Sequence, residues 1–157
     1  MSKEYITHEQ MNRYYTSILR DMTRLGYSPD IIVAPMRGGA DMGVKFSHYF
    51  GVPVHAIDWQ TRDGAETDVD KLQEILLTHR HSDILIVDDI CDTGTTLKQM
   101  EEAIDLHCYQ ISFLGTVSTA VALFKESSDI DVTFHGRSIY SEEEDNWFVF
   151  PWEEWWK

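Results

Sequence analysis

The chain has 157 residues, 43% of them hydrophobic, which suits one domain around one packed interior and excludes wholesale disorder. Lys and Arg total 13 against 27 Asp and Glu, for a net charge of −14. Such acidity excludes a broad nucleic-acid footprint, which needs basic stripes, but not a small anionic ligand, because a metal ion and a few local donors can reverse the field inside a pocket.

The first residues, MSKEYITHEQ, lack the apolar core of a secretory signal, and the longest apolar runs fall far short of a membrane span. Cys91 and Cys108 are the only cysteines, a pattern that suggests reduced thiols in a cytoplasmic protein. His79 and His81 have no partners at zinc spacing.

Thr7 and Gln10 fit a capping box, and Met11, Tyr14, Ile18, Met22 and Leu25 follow at helical spacing until Gly26 and Pro29 stop the helix. IIVAP at 31–35 reads as a buried strand. RGGAD leads into a second helix through Val44 and Phe46–Phe50, closed by Gly51. VPVHAI at 52–57 is a short strand. Residues 58–70 turn polar, have no apolar period and read as a mobile loop. Leu72, Ile75, Leu76 and His79 mark a helix face, and ILIV at 84–87 is the next buried strand. Leu97, Met100, Ile104 and His107 or Cys108 give the following helix its inner face. The spacing then predicts a strand over 111–117, a helix over 119–126 and a strand over 131–136. Strands alternating with helices, several of them uniformly apolar, imply an α/β fold: a doubly wound, mainly parallel sheet of about five strands, covered on both faces, in one domain spanning 1–157. Ligands bind such sheets beyond the carboxyl ends of the strands, where the loops after 31–35 and 84–87 emerge.

The densest chemistry lies in ILIVDDICDTGTT, residues 84–96. Gly94 permits a tight turn, so the amides of 92–96 can converge. Thr93, Thr95 and Thr96 add hydroxyl donors, and a helix begins nearby with its positive dipole end. Together these make a phosphate cradle without a lysine. Asp88 and Asp89, at the strand end, suit vicinal hydroxyls or a hydrated magnesium ion. The alternative is a helix start capped by Asp92 and Thr95 with solvated acids.

This string resembles the ribose-phosphate motif of the type I phosphoribosyltransferases: four hydrophobic residues, two acids, then Asp-Thr-Gly and threonine. The resemblance implies that Asp88 and Asp89 bind the ribose hydroxyls with Mg2+ nearby. It places Asp92 beside the reacting base, and Thr93, Gly94, Thr95 and Thr96 on the 5-phosphate. VAPMRGGADMG resembles the family's pyrophosphate loop, with Arg37, Gly38 and Gly39 facing the leaving group and a peptide before Arg37 that is often cis in the family. The 58–70 loop falls where the family has a flexible catalytic hood, from which Arg62 or Lys71 would reach pyrophosphate. The tail DNWFVFPWEEWWK, an aromatic hood over 145–157, resembles the end of small bacterial xanthine-guanine and archaeal purine enzymes, so Trp147 or Phe148 would cover a purine. The same aromatics also fit an edge strand in a homodimer or homotetramer contact.

One departure stands out. Enzymes for 6-oxopurines carry a base-reading lysine after the strand that follows the signature helix. Here Ser118 and Thr119 occupy the expected place, with Lys125 several residues later. The resemblance therefore implies a cytoplasmic, Mg2+-dependent transferase in purine salvage that moves the phosphoribosyl group of 5-phosphoribosyl 1-pyrophosphate to a base, most simply a 6-oxopurine. Another base, or a nucleotide-sensing regulator on the same fold, are the alternatives. A phospho-acceptor receiver domain would carry its acid pair on the first strand, and nothing there explains DTGTT.

Overall fold

The computed structural model describes residues 1–60 and 67–157. In chain order the elements are β1 (Lys3–Tyr5), α1 (His8–Arg24), β2 (Ile31–Met36), α2 (Ala40–Phe50), β3 (Val54–Asp58), α3 (Val69–Thr78), β4 (Asp83–Cys91), α4 (Thr95–Ile111), β5 (Thr116–Lys125), β6 (Phe134–Ile139) and β7 (Trp147–Val149). The central sheet runs β3-β2-β4-β5-β6, and every pairing in it is parallel. This is the α/β fold with a parallel five-stranded sheet that the sequence implied.

Side chains alternate across the central strands, and each strand feeds two interiors. Ile32 and Ala34 of β2 and Leu85 and Val87 of β4 join Met11, Ile18 and Met22 of α1 and Met42 and Phe46 of α2. Ile31, Val33, Ile84 and Ile86 face the other way, onto Leu72, Ile75 and Leu76 of α3 and Leu97, Met100 and Ile104 of α4. Helices α1 and α2 thus cover one face and α3 and α4 the other. The capping box at Thr7 and Gln10 is formed as expected. Among the described residues no helix is long and apolar enough to cross a membrane. Cys91 and Cys108 are free thiols.

Three expectations are corrected. The strand expected over 111–117 begins only at Thr116: α4 continues to Ile111, and Ser112 ends it in a left-handed conformation at φ 54°. Residues 119–126 are not a helix: β5 occupies Thr116–Lys125 between β4 and β6, with Thr119–Phe124 buried. A short run such as TAVALF reads alike as buried strand or buried helix, because periodicity cannot separate the two. The next strand starts at Phe134 and not at 131, as the displaced register requires.

Of the stretch 58–70 expected as a mobile loop, residues 61–66 lie outside the described residues, and the flanks are built into the fold. Asp58 closes β3, Trp59 bridges to Thr67, and Val69 opens α3 behind an Asp68 cap. Arg62 lies outside the described residues. The two ends of the chain form a second sheet: the tail is a strand, one of the two readings of its aromatics, but its pairing with the chain start was not suggested by the sequence. β1 and β7 pair in parallel, with Lys3 opposite Trp147, Glu4 opposite Phe148 and Tyr5 opposite Val149. An isolated two-stranded sheet is marginal. This one is anchored through Ile6, Phe148 and Phe150, which join the α1/α2 interior.

Candidate active site

The chain leaves β2 toward β3 on one side, then returns to place β4 on the other. That reversal opens a crevice at the carboxyl ends of β2 and β4. A cleft of about 720 Å³ lies there, lined by the loop after β2, the acidic end of β4 and the aromatic strand β7.

The RGG loop is pressed against the acids. A Cβ at Gly38 would stand 2.5 Å from Asp89 Oδ1 and 2.7 Å from Asp88 Oδ1, and one at Gly39 would stand 2.4 Å from the Val87 carbonyl oxygen. Two glycines are what let this loop approach. The Met36–Arg37 peptide is cis. Arg37 is exposed and lines the cleft.

Asp88 is 9% exposed and accepts a 3.0 Å hydrogen bond from the Asp89 N–H. Burial, and then the neighbouring Asp89 charge, hold its carboxyl well above the usual carboxylate range. Burial also pushes Asp89 up to about 6, with the charge of Glu153 adding to the effect. Asp88 is buried and Asp89 half-buried, so a cation beside them would offset the cost of their adjacent negative charges. Among the described residues, no group of three or more His, Cys, Asp or Glu is placed to hold a metal by itself. The carboxylate oxygens of Asp88 and Asp89 are donors of the kind magnesium takes, since it binds through one or two carboxylates and keeps water and substrate oxygens for its remaining positions.

Gly94 turns with φ 88° and is itself the N-cap of α4, so the cap residue has no side chain to offer, and in the first turn the Thr95 N–H donates to Thr93 Oγ1 at 3.3 Å. Asp92 and Thr95 are therefore not caps, and the first turn of α4 stays suited to an anion. Thr93 and Thr95 bring their hydroxyls within 2.8 Å of each other. Thr96 lines the cleft.

Because β5 runs to residue 125, Lys125 stands at the carboxyl end of a sheet strand and not within a helix. Lys125 lines the cleft with its side chain only 13% exposed. Its Nζ lies 2.6 Å from Asp92 Oδ1 and donates to the Glu144 carbonyl at 2.9 Å. Thr119, by contrast, is buried mid-strand, its hydroxyl accepting from the Thr133 N–H. The signal for Lys125 was the Lys that ends an apolar run, and the misplaced strand hid it.

Trp147 and Phe148 both line the cleft from β7, the first 42% exposed and the second 7%. Trp152, stacked on Phe150 at 5.3 Å, and Glu153, whose carboxylate accepts from the Phe150 N–H, line it too. Neither was singled out in the sequence. Lys71, exposed on the first turn of α3, is not among the described residues lining the cleft.

The phosphoribosyl transferase domain family matches residues 3–157. Among curated proteins no sequence matches significantly. Among solved structures, a purine phosphoribosyltransferase from Pyrococcus horikoshii OT3 is 25% identical, with a TM-score of 0.70 over 98% of this chain and 96% of its own. The xanthine-guanine-hypoxanthine phosphoribosyltransferase of Helicobacter pylori is 18% identical, with a TM-score of 0.70 over 97% of this chain and 94% of that one. A Neisseria gonorrhoeae protein solved with bound ppGpp is 19% identical, with a TM-score of 0.69 over 97% and 89%. The last two likenesses are of fold alone. Since the family match takes in the glycine loop, the acid–threonine turn and the aromatic tail together, the chain belongs to the phosphoribosyl transferase domain family.

Proposed function

We propose that the protein transfers the 5-phosphoribosyl group of 5-phosphoribosyl 1-pyrophosphate to a 6-oxopurine, releasing pyrophosphate, as a cytoplasmic homo-oligomer in purine salvage. The observation that carries the choice of base is Lys125, held 2.6 Å from Asp92 in a cleft walled by Trp147 and Phe148. An ammonium group only donates, so it favours a carbonyl on the base over an amino group. The P. horikoshii purine enzyme, similar over almost the whole length, supports the same reading.

In this mechanism the amides and hydroxyls of Thr93–Thr96 hold the 5-phosphate, and Asp88 and Asp89 hold the ribose hydroxyls. Arg37 and the amides of Gly38 and Gly39 face the pyrophosphate, with Arg62 or Lys71 as a further cation. Asp88 and Asp89 would hold magnesium, which when bound neutralises charge on the departing pyrophosphate. A ring nitrogen of the base bonds to carbon 1 of the ribose as the carbon–oxygen bond to pyrophosphate breaks. The two carboxylates stabilise the positive charge that develops on the sugar. Trp147 or Phe148 covers the base, and Lys125 donates to its exocyclic oxygen. As the base takes up that hydrogen bond, Asp92 is released to accept the proton the base loses.

The test is incubation with the sugar donor, magnesium and a panel of purine and pyrimidine bases, with pyrophosphate and nucleotide both measured. Turnover confined to oxo-purines supports the proposal. Turnover with adenine or pyrimidines alone refutes the choice of base. No turnover, with thermal stabilisation by nucleotides, would replace the enzyme with a nucleotide sensor.

A further inference from the structure

Behind the aromatic wall of the cleft lies an arginine that does not line it. Arg137, on β6, gives one guanidinium nitrogen to Glu4 of β1 at 2.7 Å and the other to Glu143, in the turn before β7. The first nitrogen also lies 3.5 Å from the Tyr14 hydroxyl of α1. Its Cζ stands 5.8 Å from the centre of the Phe148 ring. Glu4 is the residue paired with Phe148 across the small sheet. One side chain thus touches both strands and the turn that carry the wall, and ties them to the last strand of the central sheet. The fork matters, since guanidinium is planar and can hold two carboxylates while stacking on a ring, which an ammonium group cannot do.

We infer that Arg137 is a positioning residue for recognition of the base: it acts through Glu4, Glu143 and Phe148 to hold the Trp147–Phe148 wall at its stacking distance. The inference rests on the proposed transferase function. The proposed sugar-phosphate half of the site draws on β2, β4 and the start of α4, whereas the partners given above for Arg137, all among the described residues, lie on β1, α1, β7 and the turn before it. A loosened wall should therefore weaken the base and spare the sugar donor. Lys125 reinforces the same turn from the cleft side through the Glu144 carbonyl, so the turn stays tethered when Arg137 is altered, which favours a folded variant.

The experiment compares wild type, Arg137→Met, Arg137→Lys, Glu4→Gln and a control, Arg13→Gln, which breaks an exposed pair with Glu9 on α1. KM is measured separately for a 6-oxopurine and for the sugar donor, alongside melting temperature. Arg137→Met should raise the base KM by about tenfold or more and leave the sugar-donor KM within about twofold, the pattern of a binding wall displaced by a fraction of an ångström. Arg137→Lys should recover only part of the loss, and Glu4→Gln should fall between wild type and Arg137→Met. An equal rise in both KM values, or a base KM unchanged in every variant, overturns the inference while leaving the transferase intact. If Arg137→Met does not fold, Arg137→Lys and Glu4→Gln decide by the same split. A wild-type chain that turns over no base overturns the transferase reading, and the inference with it.

Discussion

Adding one methyl group at Gly38 and one at Gly39 should have opposite consequences, although the positions are adjacent. Gly39 has an ordinary helical backbone, φ −75° and ψ −8°. Alanine fits that conformation and stiffens the unfolded chain, a gain of about 0.4–1 kcal/mol. The new Cβ, however, would lie 2.4 Å from the Val87 carbonyl oxygen and 2.9 Å from that of Pro35. The first is about 0.9 Å inside a close carbon–oxygen contact of about 3.3 Å. Both oxygens belong to central-strand backbone that cannot rotate away, so the overpacking cost lies toward the top of the usual range of about 1–3 kcal/mol. The net loss is about 2 kcal/mol, or about 4–8 °C in melting temperature for a domain of this size. At Gly38 the clashing atoms are the Asp88 and Asp89 carboxylate oxygens, which can turn. Gly38→Ala should melt within about 2 °C of wild type, yet lose about tenfold or more in magnesium-dependent affinity for the sugar donor, as displaced ligating carboxylates do. Differential scanning calorimetry reads the first quantity and titration calorimetry the second. Gly39→Ala melting at or above wild type, or Gly38→Ala binding the sugar donor as wild type does, would refute the steric argument.

Asp89 has a folded pKa of about 6, above its ordinary 3.8, because of burial. Its contribution to stability is therefore full below 3.8 and lost as the pH rises through 6. In chelator, Asp89→Asn should melt higher than wild type at pH 8, with the advantage fading toward pH 4; a pH-independent difference would contradict this. Lys125→Met should raise the KM for hypoxanthine, guanine and xanthine by about tenfold or more, the loss of one charged hydrogen bond, and narrow their advantage over adenine. An unchanged base preference in steady-state assays would remove Lys125 from base recognition. Asp92→Asn should cut turnover by about 100-fold or more while changing sugar-donor affinity little. Equal losses in single-turnover rate and affinity would argue against proton transfer to Asp92.

The parts of the molecule legible in the sequence are those whose physics is local. IIVAP and ILIV are buried on both faces and read as continuous apolar runs. The glycine–threonine turn after Asp88 and Asp89 carries its chemistry within one short stretch. The rest depends on partners far along the chain. KEY at 3–5 has neither apolar alternation nor length, and becomes a strand only because Trp147–Val149 lies beside it. β5 was misplaced because an apolar run inside a sheet lacks a period, and that error set Lys125 in a helix and not at the cleft end of a strand. Glu153 and Arg137 are ordinary charged residues in sequence; only folding brings one near Asp89 and the other behind Phe148.

The small terminal sheet has a consequence for how the protein comes into being. Ser2 and Asn146, which flank it and bond to each other, are 144 positions apart. Translation completes the segment from Ile31 to Thr96 long before Trp147 leaves the ribosome, and domains begin to fold as they emerge. On the proposed function, the grip on the sugar phosphate can therefore mature early, whereas the surface that would choose its acceptor is assembled last. Fusions or truncations at either terminus should accordingly blur selectivity before they abolish the grip.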